Sequence, residues 1–190
     1  MLTILLIRSG TTEFDAQGRI QGTLDVPLCE EGRRQAQATA TELAARPTPI
    51  DALYAGPCLS AQQTAEIVGD RLDLKQKTLK KLHNLNQGLW QGLLFDEVKT
   101  KQPKVYRQWQ DRPETVCPPE GETVQEATDR LKESLAKLTK KHKSGTIALV
   151  LAQPLAGVMR SLLRHDQPPC LCHSAAAPKQ LWEPIEVVAV

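Results

Sequence analysis

The sequence predicts an α/β fold, a three-layer α/β/α sandwich around a mostly parallel sheet, from three observations. TILLI (3–7), ALYAG (52–56) and TIALVLA (146–152) are continuous apolar runs, the pattern of strands covered on both faces. Stretches of helical spacing separate these runs, and such alternation marks a parallel sheet. A length of 190 residues, with 41% hydrophobic and 24% charged side chains, suits one globular domain with a sizeable core. The chain therefore reads as a single domain over 1–190, with 166–190 the stretch least defined by pattern.

After the first strand, RSGTTEF (8–14) turns abruptly polar, as a tight loop bearing a site would. EEGRRQAQATATELAAR (30–46) reads as a helix ended by Pro47. ALYAG is the second strand, stopped by Gly56 and Pro57, and 59–72 is a helix with Leu59, Ala65, Ile67, Val68 and Leu72 on its apolar face. The segment 75–86 is predicted to be extended. ETVQEATDRLKESLAKLTKK (122–141) is the clearest helix: Val124, Ala127, Leu131, Leu135 and Leu138 recur at helical spacing, and Thr123 with Glu126 makes a capping box. The third strand leads into a helix through Val158, Met159, Leu162 and Leu163, and IEVVAV (185–190) closes the chain as a strand. QPPCLCHSAAAP (167–178) reads as a surface loop. In open parallel sheets the site lies outside the carboxyl ends of the strands. The motifs RSG and AQP, which end the first and third strands, should therefore share one edge.

Charge and cysteine usage exclude several classes of function. A net charge of +2, from 24 basic and 22 acidic residues, gives no reason to expect nucleic acid or a membrane surface. Lys137, Lys140, Lys141 and Lys143 gather at a helix end, where cations complement the helix dipole in solvent. No segment approaches the roughly 20 apolar residues of a membrane span, and no signal peptide precedes the first strand, so a cytoplasmic chain with reduced thiols is expected. Cys29, Cys58, Cys117, Cys170 and Cys172 are odd in number and have no disulfide-framework spacing. The CLCH cluster (Cys170, Cys172, His173) lacks a second ligand pair, so neither a metal nor a cofactor is expected. Cys58 has no adjacent base and no helix N-terminus in view, and reads as an inert small hydrophobe. Arg33, Arg34 and Arg160 read as solvated or structural.

Six stretches in order carry a resemblance. RSGTTEF, GRIQGTLDVPLCEEGRRQA (18–36), AGPCLSAQQTAEIV (55–68), LHNLNQGLWQGL (82–93), PPEGETVQEATDRL and ALVLAQPLAGVMRSLL (148–163) resemble successive motifs of the histidine phosphatase superfamily, which includes cofactor-dependent phosphoglycerate mutase. The resemblance implies a phosphoglycerate mutase-like fold and a phosphoryl-transfer site. In that family a histidine attacks the phosphoryl group, two arginines and a second histidine hold it, and a glutamate protonates the leaving oxygen. Carried over by position, the first arginine is Arg8, the nucleophile Ser9, the second arginine Ser60, the glutamate Asn84 and the second histidine Gln153. Four of these five positions hold a residue without the family's chemistry.

A serine hydroxyl needs an adjacent base to act as a nucleophile. If 82–86 is a strand, His83 faces away from Asn84. His165 follows Gln153 by 12 residues, about 18 Å along a helix, while His142 ends another helix and His173 sits in the Pro-rich loop. Asn84 cannot supply the proton of general acid catalysis, a step worth about 10² to 10⁴ in rate. Loss of a nucleophile costs on the order of 10⁴ to 10⁶ more. For binding, Arg8, Ser9, Gly10, Gln21, Asn84 and Gln153 remain as hydrogen-bonding groups, with a helix N-terminus beyond Gln153 that Pro154 deprives of one donor. With an arginine gone and charge-assisted bonds worth about 1.5–3 kcal/mol, phosphate affinity should fall by about two to four orders of magnitude. A pseudoenzyme is therefore expected, acting by ligand or partner binding. Its cleft is plugged by small polar residues or re-used for a small phosphorylated or neutral ligand, or the chain is a partner-binding or oligomer-forming scaffold. The alternative is a residual or altered phosphatase or phosphoglycerate mutase acting on a small phosphoester through Ser9 and Arg8.

Overall fold

The computed structural model describes residues 1–166, 171 and 180–187. Strands β1 (Leu2–Arg8), β2 (Ala52–Ala55), β3 (Gln76–Thr78) and β4 (Gly145–Leu151) run parallel, and β5 (Trp182–Val187) joins antiparallel to β1, in the order β3-β2-β4-β1-β5. Helices α1 (Glu13–Gln17), α2 (Glu30–Ala44), α3 (Leu59–Leu72), α4 (Phe95–Lys101), α5 (Pro103–Asp111), α6 (Val124–Lys141) and α7 (Leu155–Arg164) complete the layers. Among the described residues no helix is long and apolar enough to cross a membrane.

The continuous apolar strands work as their composition requires. Leu5, Ile7, Leu53, Ala55, Ala148 and Val150 pack under α2 and α3, with Ala40, Leu43, Ala61, Ala65 and Val68. The alternate residues Ile4, Leu6, Tyr54, Ile147 and Leu149 pack under α6 and α7, against Leu131, Leu138, Leu155 and Met159. Burial of each Leu, Ile, Val or Met among these is worth about 1.5–3 kcal/mol. A slip of one residue would exchange the side chains of the two faces and so disrupt both packed layers. The Thr123 capping box forms as its sequence dictates: Glu126 N donates to Thr123 Oγ1 at 3.1 Å, and Thr123 N donates to Glu126 Oε2 at 2.8 Å.

Several boundaries differ from expectation. The segment 75–86 is not extended throughout, because β3 ends at Thr78 and a 3₁₀ turn, Lys80–Leu82, buries Leu82. The last strand starts earlier, at Trp182, and places Pro184 where a sheet edge can accept its missing donor. The remainder of IEVVAV, 188–190, lies outside the described residues, as do 167–170 and 172–178 of the expected loop. Helices α1, α4 and α5 had no counterpart in the reading of the sequence. In α5, Pro103 occupies the first turn, and Tyr106 and Trp109 turn inward, Trp109 tilting onto Trp90 at 5.0 Å between ring centroids.

One close approach positions the loop after β1. A Cβ on Gly10 would lie 2.3 Å from Gly32 O, and one on Gly32 would lie 2.0 Å from Thr11 O. The loop backbone therefore rests directly on the first turn of α2.

Candidate functional site

Because β1 and β4 are neighbours in parallel register, with Arg8 opposite Leu151, their carboxyl ends open onto one edge. RSG and AQP meet there, and Ser9 N donates to Leu151 O at 2.8 Å. Gly10 N donates to Thr64 Oγ1 at 3.1 Å, and the same hydroxyl donates to Ser60 O at 2.8 Å, which draws the start of α3 to the loop. Asn84 Nδ2 donates to Gln153 O at 2.7 Å and to Gly22 O at 2.8 Å, while Asn84 Oδ1 accepts from Leu155 N at 3.2 Å. Arg8, Ser9, Gly10, Gln21, Ser60, Asn84 and Gln153 thus gather at one sheet edge. They differ sharply in what they have left to offer a ligand.

Asn84, 1% exposed, is a staple rather than a free binding group. Both of its amide hydrogens and its carbonyl are spent on three backbone groups from two other segments. Gly10 likewise has its N–H committed. The buried Gln21 has its amide engaged, with Oε1 3.1 Å from Thr12 Oγ1 and Nε2 donating to Leu24 O at 3.3 Å. The start of α7 offers no open row of amides either: Leu155 N goes to Asn84, Ala156 N to Ala152 O, and Gly157 N to Pro154 O. The side chains of Arg8, Ser9 and Gln153 make no hydrogen bond to other described residues. Burial lowers the pKa of the Arg8 guanidinium, the Asp15 carboxylate opposes that shift, and the group stays charged. Arg8 and Gln153 face a cleft of about 400 Å³ that Arg160 and Leu181 also line. On its rim Glu183 accepts from Arg164 Nη2 at 2.5 Å and lies 3.9 Å from Arg160 Nε, so Arg160 is part of a surface ion network.

Ser60 Oγ is fully buried and, among the described residues, has no hydrogen bond of good geometry. Beside it, Cys58 departs from expectation, since it is the N-cap residue of α3. The thiol nonetheless stays protonated. Burial pushes its pKa up, and the Ala61 amide and Ser60 hydroxyl pull it down by less. Desolvation outweighs the helix end, so the thiol's pKa stays raised although Cys58 sits at the start of α3.

The described histidines are engaged or distant. His83 is not on a strand and donates from Nδ1 to Asn84 O at 3.0 Å, His142 Nε2 lies 2.8 Å from Tyr54 Oη, and His165 caps the far end of α7. None hydrogen bonds Ser9. Cys170, Cys172 and His173 lie outside the described residues, and among those described no three His, Cys, Asp or Glu side chains cluster as a metal site. The sequence reading missed two residues that shape the site. Thr64 bridges Gly10 and Ser60, and its placement one turn after Ser60, where a hydroxyl can bond the i−4 carbonyl, was the available signal. Arg130 forks onto Glu122 at 2.7 and 2.9 Å and donates to Lys81 O at 2.7 Å and Asn84 O at 3.3 Å, holding the segment that carries Asn84.

Comparison with known proteins fits this geometry. Residues 4–168 match the histidine phosphatase superfamily (branch 1). The chain is 30% identical over 150 residues to phosphoserine phosphatase 1 of Hydrogenobacter thermophilus, covering 79% of this chain and 70% of that protein. It is 32% identical over 167 residues to phosphoglycerate mutase-like protein 4 of Arabidopsis thaliana, covering 87% and 71%. In fold it resembles YhfR of Bacillus stearothermophilus, with a TM-score of 0.85 and 24% identity, over 99% of this chain and 92% of that one.

Proposed function

The chain belongs to the histidine phosphatase superfamily, and we propose that it is a pseudoenzyme, a member that no longer transfers phosphoryl groups and acts by binding a small, neutral or weakly charged ligand in the old cleft. The observation that carries this reading is the state of Asn84. At the family's acid position stands an amide whose donors hold two carbonyls, so the position has become part of the scaffold. Ser9, at the nucleophile position, has no imidazole or carboxylate bonded to it among the described residues to take its proton. Arg8 alone keeps its family identity, and one cation without the second arginine and two imidazoles holds a dianion weakly.

That surviving arginine favours one second reading, a residual phosphatase of the kind its relatives are named for. The two separate in a thermal-shift titration of the full chain with phosphate and orthovanadate, run beside Arg8→Met. A ligand at concentration L stabilises by RT ln(1 + L/Kd), so with Kd well above about 10 mM, about 10 mM of either anion should move Tm by less than about 1 °C in both proteins. Stabilisation that saturates below about 1 mM and vanishes in Arg8→Met would instead mean a working phosphate site.

A further inference from the structure

The fold brings a second lysine-bearing segment against the lysines at the end of α6. The turn Lys80–Leu82 packs beside α6, and between them runs a groove of about 260 Å³. Tyr54, Leu79 and Leu138 form its apolar floor, Lys80 and Lys81 one wall, and Lys137 and Lys141 the other. Tyr54 and Leu138 are buried at 2% and 3% exposure, so the floor belongs to the packed core. Of the four lysines, Lys81 alone has an ion-pair partner among the described residues, Glu133. Lys141 Nζ stands 5.7 Å from the centre of the Tyr54 ring, over the floor. With Glu133 included, the groove carries a local formal charge of +3, against +2 for the whole chain. The cation field reaches His142, whose pKa is lowered first by burial and then by Lys141 and Lys77, with Asp51 opposing.

We propose that this groove is a binding site for a small amphipathic anion, an aryl or short acyl body carrying a carboxylate or similar head group. A bare inorganic anion would leave the apolar floor unfilled, and a neutral apolar molecule would leave the lysines unused. The volume lies just under the roughly 300–1,000 Å³ of sites for drug-sized ligands, which sets the body at about one fused ring system. None of the lining residues is among the five family positions, so the inference stands apart from the reading of the old cleft.

The test is a ¹⁵N–¹H correlation titration of the full chain with 2-naphthoate, beside neutral 2-naphthamide, inorganic phosphate and a short Glu- and Leu-rich peptide. Naphthoate should give saturable shifts at amides 79–82 and 134–142, and added salt should weaken them. Its affinity should exceed that of naphthamide and of phosphate at least about tenfold, and should fall about tenfold in the exposed double variant Lys137→Gln/Lys141→Gln. Spectra of that variant elsewhere unchanged would show that its fold is kept. Non-saturable shifts, shifts centred on Ser9 and Gly10, or equal affinity in the double variant would overturn the proposal. Binding of the peptide in place of naphthoate would also overturn it, in favour of a protein-docking groove.

Discussion

Asn84→Asp is expected to lose about 3–5 kcal/mol of unfolding free energy at pH 7, against about 1–3 kcal/mol for Asn84→Ala. The two variants differ because of which atoms face Asn84 Nδ2. Gly22 O and Gln153 O, at 2.8 and 2.7 Å, both demand a donor. Aspartate keeps the shape of the side chain but sets a buried carboxylate oxygen against two carbonyl oxygens. The alanine leaves the same groups unpaired without adding charge. The sign of the pH dependence follows. An aspartate in the unfolded chain titrates near about 3.9, while burial and the two carbonyls raise it in the folded variant. The folded state then keeps a proton the unfolded chain has lost, so the ionisation part of the penalty is absent below about pH 4, grows as pH rises through the folded pKa, and is full above it, while the smaller cost of one O–H serving two carbonyls stays at every pH. Urea unfolding of all three proteins at pH 4 and pH 7 reads this out. A gap between Asn84→Asp and the parent that is the same at both pH values would remove Asn84 from the role of staple. The same physics implies that Asn84→Glu would not simply restore an acid: a carboxylate there must first displace the bonds that seat Gly22, Gln153 and the start of α7.

The second large effect belongs to the Glu122–Arg130 pair. Their side chains are 14% and 13% exposed, and the guanidinium forks onto the carboxylate while also reaching Lys81 O and Asn84 O. Glu122 Oε2 in turn accepts from Asn86 N at 3.1 Å. Arg130→Met leaves a mostly buried carboxylate without its partner and should cost about 3–5 kcal/mol. Adding Glu122→Leu removes the orphaned charge, so the double variant should be less destabilised than the sum of the two single changes by about 0.5–3 kcal/mol. Simple additivity in a double-mutant cycle would mean the pair is a surface decoration rather than the clamp on the 81–86 segment.

Much of this fold was legible in the sequence because two-sided burial writes itself as unbroken apolar runs: Ile4 to Ile7 and Ile147 to Leu151 could be little else. The ends of α6 were legible because Thr123 and Glu126 are side chains with a local job. The segment 75–86 was not, since Leu79, Leu82 and Leu85 at intervals of three fit an extended run poorly and a 3₁₀ turn leading into coil well. Helix α5 hid because its inward residues are few and aromatic. At the site, the order of motifs named residues that the fold brings to one edge, but not which of their polar groups are already spent. The acceptors of Asn84 Nδ2 are backbone carbonyls 62 and 69 residues away, and no side-chain pattern announces a carbonyl. Cys58 was misjudged although the helix start at residue 59 was read correctly, because its place just before that start is an N-cap. The lysine groove needed tertiary structure outright, as neither Lys80 and Lys81 nor Lys137 and Lys141 mean much alone.

The central claim, that phosphoryl transfer has been lost, is tested most directly by turnover of p-nitrophenyl phosphate and O-phosphoserine by the full chain, measured beside Ser9→Ala across pH 5 to 8. The account predicts rates for the two proteins that match each other and the uncatalysed background. Turnover that saturates with substrate and disappears in Ser9→Ala would contradict it and make Ser9 a working nucleophile.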